Sequence, residues 1–158
     1  MQPKQQRALD LILSPKAHAA FDLSRESAKM HERYGRSEMG QVLLLSRRLI
    51  EAGVRCVSLT IADFDTHSDN FNRMRQVLPI LDHGLHALVM DLEERGMLDD
   101  VSIVLWGEFG RTPKINKNAG RDHWPNCYTA LMAGGGIKGG QVIGASDEDG
   151  VMPAADPV

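Results

Sequence analysis

The sequence of 158 residues lacks the features that mark several classes of protein. No run approaches the roughly 20 consecutive apolar residues that a membrane-spanning helix needs, so no membrane partner is expected. The two cysteines, Cys56 and Cys127, are too few for a disulfide framework and do not show CxxC spacing. With 18 Lys and Arg against 21 Asp and Glu, the net charge of −3 provides no basic field for a nucleic-acid backbone, so no nucleic-acid partner is expected.

The composition that is present is typical of a folded globular domain. Hydrophobic residues make up 42% of the sequence and charged residues 25%, which argues against wholesale disorder. A chain of about 150 residues buries roughly 70% of the surface that it exposes when unfolded, which is enough for a core. The length therefore predicts one domain.

Hydrophobic spacing predicts that the first third of the chain is helical. An apolar stripe begins at Leu9, Ile12 and Leu13. Two further helices are predicted over 26–33 and 38–52, and each is followed by a glycine that suits a helix end.

The remainder of the chain predicts strands that alternate with a long helix. The segment 54–61 is short and rich in β-branched residues, which predicts a strand. Leucines spaced three and four residues apart predict a helix over 72–95. Residues 100–106 predict a second strand that is buried on both faces, and further short strands are predicted at 128–133 and 141–143. This order predicts an α/β fold, a parallel-sheet sandwich with helices on both faces.

In such a sheet, ligands bind beyond the carboxyl ends of the strands, so chemistry is expected in the loops after Ile61 and Trp106. In the first loop, Asp65 and His67 stand two residues apart, which points both side chains to one side of an extended segment. A carboxylate and an imidazole held this way suit a divalent cation, and Asp63 offers an alternative carboxylate if the loop turns helically. The same residues also fit a solvated acidic loop that caps the next helix.

The loop after Trp106 contains a second candidate carboxylate. Glu108 lies between glycines, which permit close approach of a ligand, and it could bind a metal. Arg111 follows, and its planar guanidinium could hold an anionic oxygen. The alternative is that Glu108 and Arg111 pair with each other at the surface.

A third candidate element is His123, which stands between Asp122 and Trp124. Asp122 could orient a histidine ligand or bind the metal itself, whereas the alternative for His123 is an ordinary loop histidine. The same long loop carries four cations, which are consistent with an anionic substrate. They are Arg111, Lys114, Lys117 and Arg121.

These motifs together resemble a bacterial family, domain-of-unknown-function family 1501, which is grouped with sulfatases in the alkaline phosphatase superfamily. The resemblance covers nearly the whole chain. Its most specific motifs are Asp65-Thr66-His67-Ser68-Asp69-Asn70-Phe71, Gly107-Glu108-Phe109-Gly110-Arg111-Thr112-Pro113-Lys114-Ile115 and Ala119-Gly120-Arg121-Asp122-His123-Trp124-Pro125.

The resemblance implies an alkaline-phosphatase-like fold with two divalent metals at the strand ends. Asp65, His67 and His123 look like the ligands of one metal, and Glu108 looks like part of the other site. The superfamily usually has a histidine after that acidic residue, where this sequence has Phe109. The metal is expected to be Zn, Mn, Ca or Mg.

The resemblance also implies that residues 1–158 form the C-terminal part of a sulfatase- or alkaline-phosphatase-like catalytic domain, an incomplete domain whose nucleophile lies elsewhere. We therefore expect a metal-dependent hydrolase of small sulfate or phosphate esters, with Arg111 and Lys114 attracting the anion. Asp63 and Asp122 are additional candidates for the site. The alternative is a non-catalytic module that binds an anionic ligand or carbohydrate. An incomplete sheet would expose strand edges, which predicts self-association.

Overall fold

The computed structural model describes residues 5–6 and 14–156. The stripe predicted at Leu9, Ile12 and Leu13 lies outside these residues. The described chain divides into two compact units. The first contains the residues up to 61 together with 79–88, and the second contains 62–78 together with the residues from 89 onward.

The first unit is helical, as predicted. Helices α1 (Pro15–Phe21), α2 (Ala28–Tyr34) and α3 (Glu38–Glu51) follow one another. Helix α2 begins two residues later than expected because Ser27 caps it, with its Oγ accepting a hydrogen bond from Met30 N. Gly35 ends α2 with a φ of 81°, a conformation that glycine adopts without strain.

The core of the first unit forms between these helices and the middle of α4 (Asn70–Glu94). A Cβ added to Gly84 would lie 2.8 Å from Leu43 Cδ1, so α4 approaches α3 closely at this glycine. The buried apolar side chains of the unit are Ala20, Tyr34, Leu43, Leu44, Leu81, Ala87 and Leu88.

A buried ionic cluster joins α1, the start of α2 and α3. Glu26 Oε1 accepts hydrogen bonds from Arg47 Nη2 at 2.9 Å and from Arg48 Nη1 at 2.5 Å. The guanidinium of Arg48 also donates to the carbonyls of Ala19 and Ala20, in the last turn of α1, where backbone carbonyls lack helical partners. Burial by itself would raise the pKa of Glu26, but the bonds from Arg48 and Arg47 hold that pKa below its ordinary value of 4.5.

The second unit contains both ends of α4, and its described strands are short and pair only in the antiparallel direction. Strand β1 (Ser102–Leu105) pairs with β4 (Leu131–Gly134), with Ser102 opposite Gly134 and Leu105 opposite Leu131. The other two pairs are β2 (Gly110–Arg111) with β3 (His123–Trp124), and β5 (Ala145–Ser146) with β6 (Pro153–Ala155).

The predicted parallel-sheet sandwich, and with it the alkaline-phosphatase-like fold, is therefore wrong. In residues 14–156 the chain has four α-helices, two 3-10 helices (Leu23–Arg25 and Leu98–Asp100) and three antiparallel two-stranded sheets, a small mixed α/β arrangement. Residues 54–61 have strand-forming composition, but no described segment forms a ladder with them, and composition cannot supply a hydrogen-bonding partner.

The strand predicted over 100–106 exists as β1, but its burial was predicted wrongly. Exposed and half-buried residues alternate along β1, and Val104 is 42% exposed. The strand predicted at 128–133 is present in part as β4. The strand predicted at 141–143 is absent, and β5 begins at Ala145 instead.

The long helix predicted over 72–95 is confirmed as α4, and Pro79 lies inside it. In the described part of the chain, no helix combines the length and apolar character that crossing a membrane would require. Self-association through exposed strand edges stays a prediction.

We predict that Glu26→Gln destabilises the first unit in a pH-dependent way. The substitution removes the carboxylate that pairs two nearly buried guanidinium groups, so we expect a loss on the order of 3 kcal/mol at pH 7. The folded pKa of Glu26 is lowered, so the carboxylate stabilises the fold fully above about pH 5 and progressively less as the pH falls through 4.5 toward the folded value.

Urea unfolding of both proteins between pH 7 and pH 3 measures this difference. The gap between wild type and Glu26→Gln should shrink on acidification. Glu93→Gln, at an exposed position of α4, serves as the control and should change little. A gap that stays constant over this range would contradict the prediction.

Candidate metal centre

Two segments that are far apart in the sequence lie side by side in the second unit. Ser68 and Ala119 form an antiparallel bridge between them. The backbone hydrogen bonds that join the segments, each 3.0 Å long, run from Asp69 N to Asn118 O, from Asn70 N to Ala119 O and from Arg121 N to Thr66 O. These bonds hold the loop that carries Asp65 and His67 against the loop that leads to His123.

Gly120 makes this approach possible. A Cβ at position 120 would lie 2.0 Å from the carbonyl carbon of His67 and 2.4 Å from Ser68 N, which is far inside van der Waals contact. The preceding Ala119 has a φ of 56°, in the left-handed region that non-glycine residues seldom occupy. The tight contact between the two segments therefore depends on glycine at position 120.

The pairing of β2 with β3 brings Arg111 close to Asp65 and His123. Arg111 stands directly opposite His123 in the antiparallel pair. Directly opposite residues in such a pair project their side chains to the same face. Arg111 Nη2 accordingly donates to Asp65 Oδ1 at 2.5 Å, and His123 Nε2 lies 3.0 Å from the same oxygen.

The result is a cluster of three side chains that could hold a metal ion: Asp65, His67 and His123. The distances between their potential ligand atoms are nearly equal. His67 Nε2 lies 3.1 Å from Asp65 Oδ1 and 3.1 Å from His123 Nε2, and the third edge of the triangle is the 3.0 Å contact between His123 and Asp65. The side chains are 70%, 48% and 48% exposed in the order Asp65, His67, His123.

Asp122 contacts the other nitrogen of His67. Asp122 Oδ1 lies 2.7 Å from His67 Nδ1, so Nδ1–H donates to this carboxylate. A neutral imidazole carries one proton, and a proton on Nδ1 leaves a lone pair on Nε2. That lone pair points at a carboxylate oxygen, Asp65 Oδ1, and at the His123 ring.

Both carboxylates of the site are held in the ionised form. The hydrogen bond from Arg111, followed by that from His123, holds the pKa of Asp65 far below its ordinary value of 3.8. The hydrogen bond from His67, followed by that from Asn116, lowers the pKa of Asp122. Asp65 and Asp122 are therefore anionic at neutral pH.

The donor set fits a divalent metal ion. Imidazole nitrogen and carboxylate oxygen bind zinc at about 2.0–2.2 Å, so neighbouring ligand atoms around one ion stand about 3.0 Å apart at octahedral angles and about 3.4 Å apart at tetrahedral angles. The three edges of 3.0–3.1 Å lie at the short end of this range. In addition, the bond from His67 Nδ1 to Asp122 is the contact by which proteins commonly orient a histidine ligand.

The other residues predicted for the site do not join the cluster. Glu108 is exposed and contributes no atom to the group of potential ligands, nor does it pair with Arg111. Asp63 forms an ion pair with Arg73 instead of approaching His67. Lys114 is exposed, and its backbone carbonyl, not its ammonium, accepts a hydrogen bond from Thr112 Oγ1.

Two residues that the sequence reasoning missed contact the cluster. Asn116 Nδ2 donates to His67 O at 2.9 Å and to Asp122 Oδ1 at 3.2 Å. The Phe109 ring packs against the His123 ring with centroids 4.3 Å apart. Phe109 was noted only as a departure from the superfamily pattern, and nothing in the local sequence distinguishes Asn116 from an ordinary loop asparagine.

Comparison with known proteins identifies the family. A family model described as "Protein of unknown function (DUF1501)" matches residues 2–158. The chain therefore belongs to the DUF1501 family, as the sequence motifs indicated. No curated protein and no solved structure matches it significantly.

We predict that Gly120→Ala separates the two segments. The added methyl group would collide with the backbone of residues 67 and 68, at a cost of about 1–3 kcal/mol or more. Hydrogen exchange of the Asn70 and Arg121 amides, whose bonds join the segments, should become faster. Gly139→Ala is the control, because a Cβ there meets nothing within 4 Å. Unchanged exchange at both amides in Gly120→Ala would contradict the prediction.

Proposed function

We propose that this DUF1501 chain binds a divalent metal ion through Asp65, His67 and His123, and that the centre takes part in hydrolysis of a sulfate or phosphate ester. The supporting observation is the convergence of Asp65 Oδ1 and two Nε2 atoms within 3.1 Å of one another. Asp65 Oδ1 carries no proton and each Nε2 carries at most one, so no placement of protons gives each of the three contacts its own hydrogen bond. A cation at the centre satisfies them together.

The number and exposure of the ligands favour a catalytic rather than a structural metal. Structural zinc sites use four protein ligands, whereas catalytic sites use three and leave a position open. Here three donors converge, and each of their side chains is about half exposed or more. An ester oxygen from solution can therefore reach the centre.

The chemistry of the donors narrows the choice of metal. Imidazole nitrogens suit zinc, whereas calcium and magnesium prefer oxygen ligands. The pair of histidines therefore favours Zn²⁺ over Mg²⁺ and Ca²⁺, with Mn²⁺ as the next candidate. A second metal at Glu108 has no support from the geometry, because Glu108 lies outside the cluster.

When bound, a divalent metal would polarise the ester and stabilise negative charge in the transition state. Arg111 orients the Asp65 carboxylate through its Nη2 and keeps it ionised, while its Nη1 donates to Arg121 O. Arg111 and the exposed Lys114 supply positive charge that attracts an anionic ester. The choice of a sulfate or phosphate ester follows the sulfatase-like grouping implied by the sequence motifs, and that grouping is part of the proposal rather than evidence for it.

Metal binding is tested first, by calorimetric titration of the chain with Zn²⁺, Mn²⁺, Ca²⁺ and Mg²⁺. We expect Zn²⁺ to bind with one site per chain and Mg²⁺ to bind much more weakly. Because His67 and His123 each supply a ligand atom, His67→Ala and His123→Ala should each weaken binding on the order of 100-fold or more.

The matched control for these variants is His86→Ala, which removes an exposed histidine of α4 that contributes no atom to the cluster. It should bind Zn²⁺ as wild type does. Flat titrations of wild type with all four metals would refute the metal centre, and wild-type affinity in the His67 and His123 variants would refute the ligand assignment.

Hydrolysis is tested on the metal-loaded chain with an aryl sulfate and an aryl phosphate. Because the side-chain nucleophile is expected outside these residues, the nucleophile in this test is water, which a bound divalent metal would activate. We expect release of the phenol from one of them, and its loss in His67→Ala. The expected turnover depends on the metal, so removal of the metal with a chelator should abolish it and added Zn²⁺ should restore it.

The second candidate function is a non-catalytic module that binds an anionic ligand. The observation that favours it is Phe109, whose ring packs against the His123 ring. At position 109, after the acidic residue, the superfamily usually has a metal-binding histidine. A chain that binds Zn²⁺ and sulfate or phosphate ions but releases phenol from neither ester would establish this alternative and refute the hydrolase proposal.

A further inference from the structure

We infer that Asp122, held in place by Asn116, is a positioning residue that selects which nitrogen of His67 faces the metal centre. This inference rests on the proposed function, because it concerns the same metal-binding group. It assigns to Asp122 a role outside the metal's own ligands. It also gives a role to Asn116, which contributes no potential ligand atom to the cluster.

The first step is the direction of the His67 ring. An imidazole that is free to rotate can carry its proton on either nitrogen, and either nitrogen can bind a metal. Asp122 Oδ1 lies 2.7 Å from Nδ1, a distance typical of a strong hydrogen bond to a carboxylate. This bond keeps the proton on Nδ1 and directs Nε2 toward Asp65 and His123.

The second step is the anchoring of Asp122 itself. Asp122 N donates to Thr112 Oγ1 at 3.0 Å, and Thr112 N donates to Asp122 O at 2.9 Å, so the backbone of residue 122 is held on both sides. Asn116 Nδ2 donates to Asp122 Oδ1 at 3.2 Å, which fixes the carboxylate that faces His67.

The third step is the shared donor. The same Asn116 Nδ2 also donates to the backbone carbonyl of His67 at 2.9 Å. Asn116 Oδ1 accepts from Asn118 N and Gly120 N, so the carboxamide cannot turn without breaking bonds at both ends. One amide group therefore sets the distance between the His67 backbone and the carboxylate that orients its ring.

This arrangement predicts a specific order of effects on Zn²⁺ affinity, measured by calorimetry. Asp122→Ala should weaken binding about 10–100-fold, the usual effect of losing a residue that orients a metal ligand. Asp122→Asn should weaken it less, because the amide oxygen can still accept from Nδ1–H. Asn116→Ala should weaken it as well, whereas Asn118→Ala, in the same loop, should not, since Asn118 contributes its backbone rather than its side chain.

The tautomer of His67 is a readout that loss of structure alone would not produce. In nitrogen-15 NMR spectra of the zinc-loaded chain, wild type and Asp122→Asn should show a proton on Nδ1 and the metal on Nε2 of His67. In Asp122→Ala the Nδ1–H signal of His67 should lose its hydrogen-bonded shift, and the second tautomer should appear in the metal-free chain.

The outcomes separate this inference from the proposal on which it rests. If wild type binds no Zn²⁺, both fail. If wild type binds Zn²⁺ and Asp122→Ala binds it equally well with the same His67 tautomer, the positioning role is refuted and the metal centre stands. If Asp122→Ala does not fold, Asp122→Asn provides the test. Wild-type Zn²⁺ affinity together with a changed His67 tautomer in Asp122→Asn would contradict the positioning role of Asp122.

Discussion

The contact between the backbone of residues 66–70 and that of residues 116–121 is the constraint on which the candidate site depends. Three backbone hydrogen bonds and an antiparallel bridge join these segments, and Gly120 lets them approach to a separation that no side chain would permit. The ligands come from opposite sides of this contact, with His67 on one segment, Asp65 just before it, and His123 just beyond the other segment. Without it, Asp65 and His67 would remain a local pair in a polar loop.

A second constraint is that several groups share one carboxylate oxygen. Asp65 Oδ1 accepts from Arg111 and is approached by both histidine rings. A carboxylate oxygen has few directions in which it can accept, so the arrangement is crowded unless some of these groups act as metal ligands rather than as hydrogen-bond donors. The guanidinium also keeps the carboxylate anionic, which is the state that a metal requires.

The two compact units show different kinds of stabilisation. The helical unit combines an apolar core with a charge cluster in which Glu26 pairs with Arg47 and Arg48. The second unit has short strand pairs and many hydrogen bonds from side chains to the backbone. Loops of this kind depend on individual bonds, such as those of Asn116, rather than on buried apolar area, which suits a site that must present polar atoms to solvent.

The sequence by itself determined the helices and the chemical types of the candidate ligands. Helix α4 was predicted from its leucine spacing, and α3 from its apolar stripe and the glycine that follows, because both signals are local. The proximity of Asp65 to His67 is local in the same way, since only Thr66 stands between them. His123 was a separate candidate from its own loop, and the motif resemblance added its grouping with Asp65 and His67 as well as the family.

Only the tertiary structure decided what pairs with what. Residues 54–61 have the composition of a strand, but a strand exists only with a partner, and β1 pairs antiparallel with β4 instead. The structure likewise placed Arg111 on Asp65 rather than on Glu108, and it made Asn116 and Asp122 neighbours of His67. Such pairings join residues far apart in the chain, and their geometry comes from backbone contacts that composition and spacing do not encode.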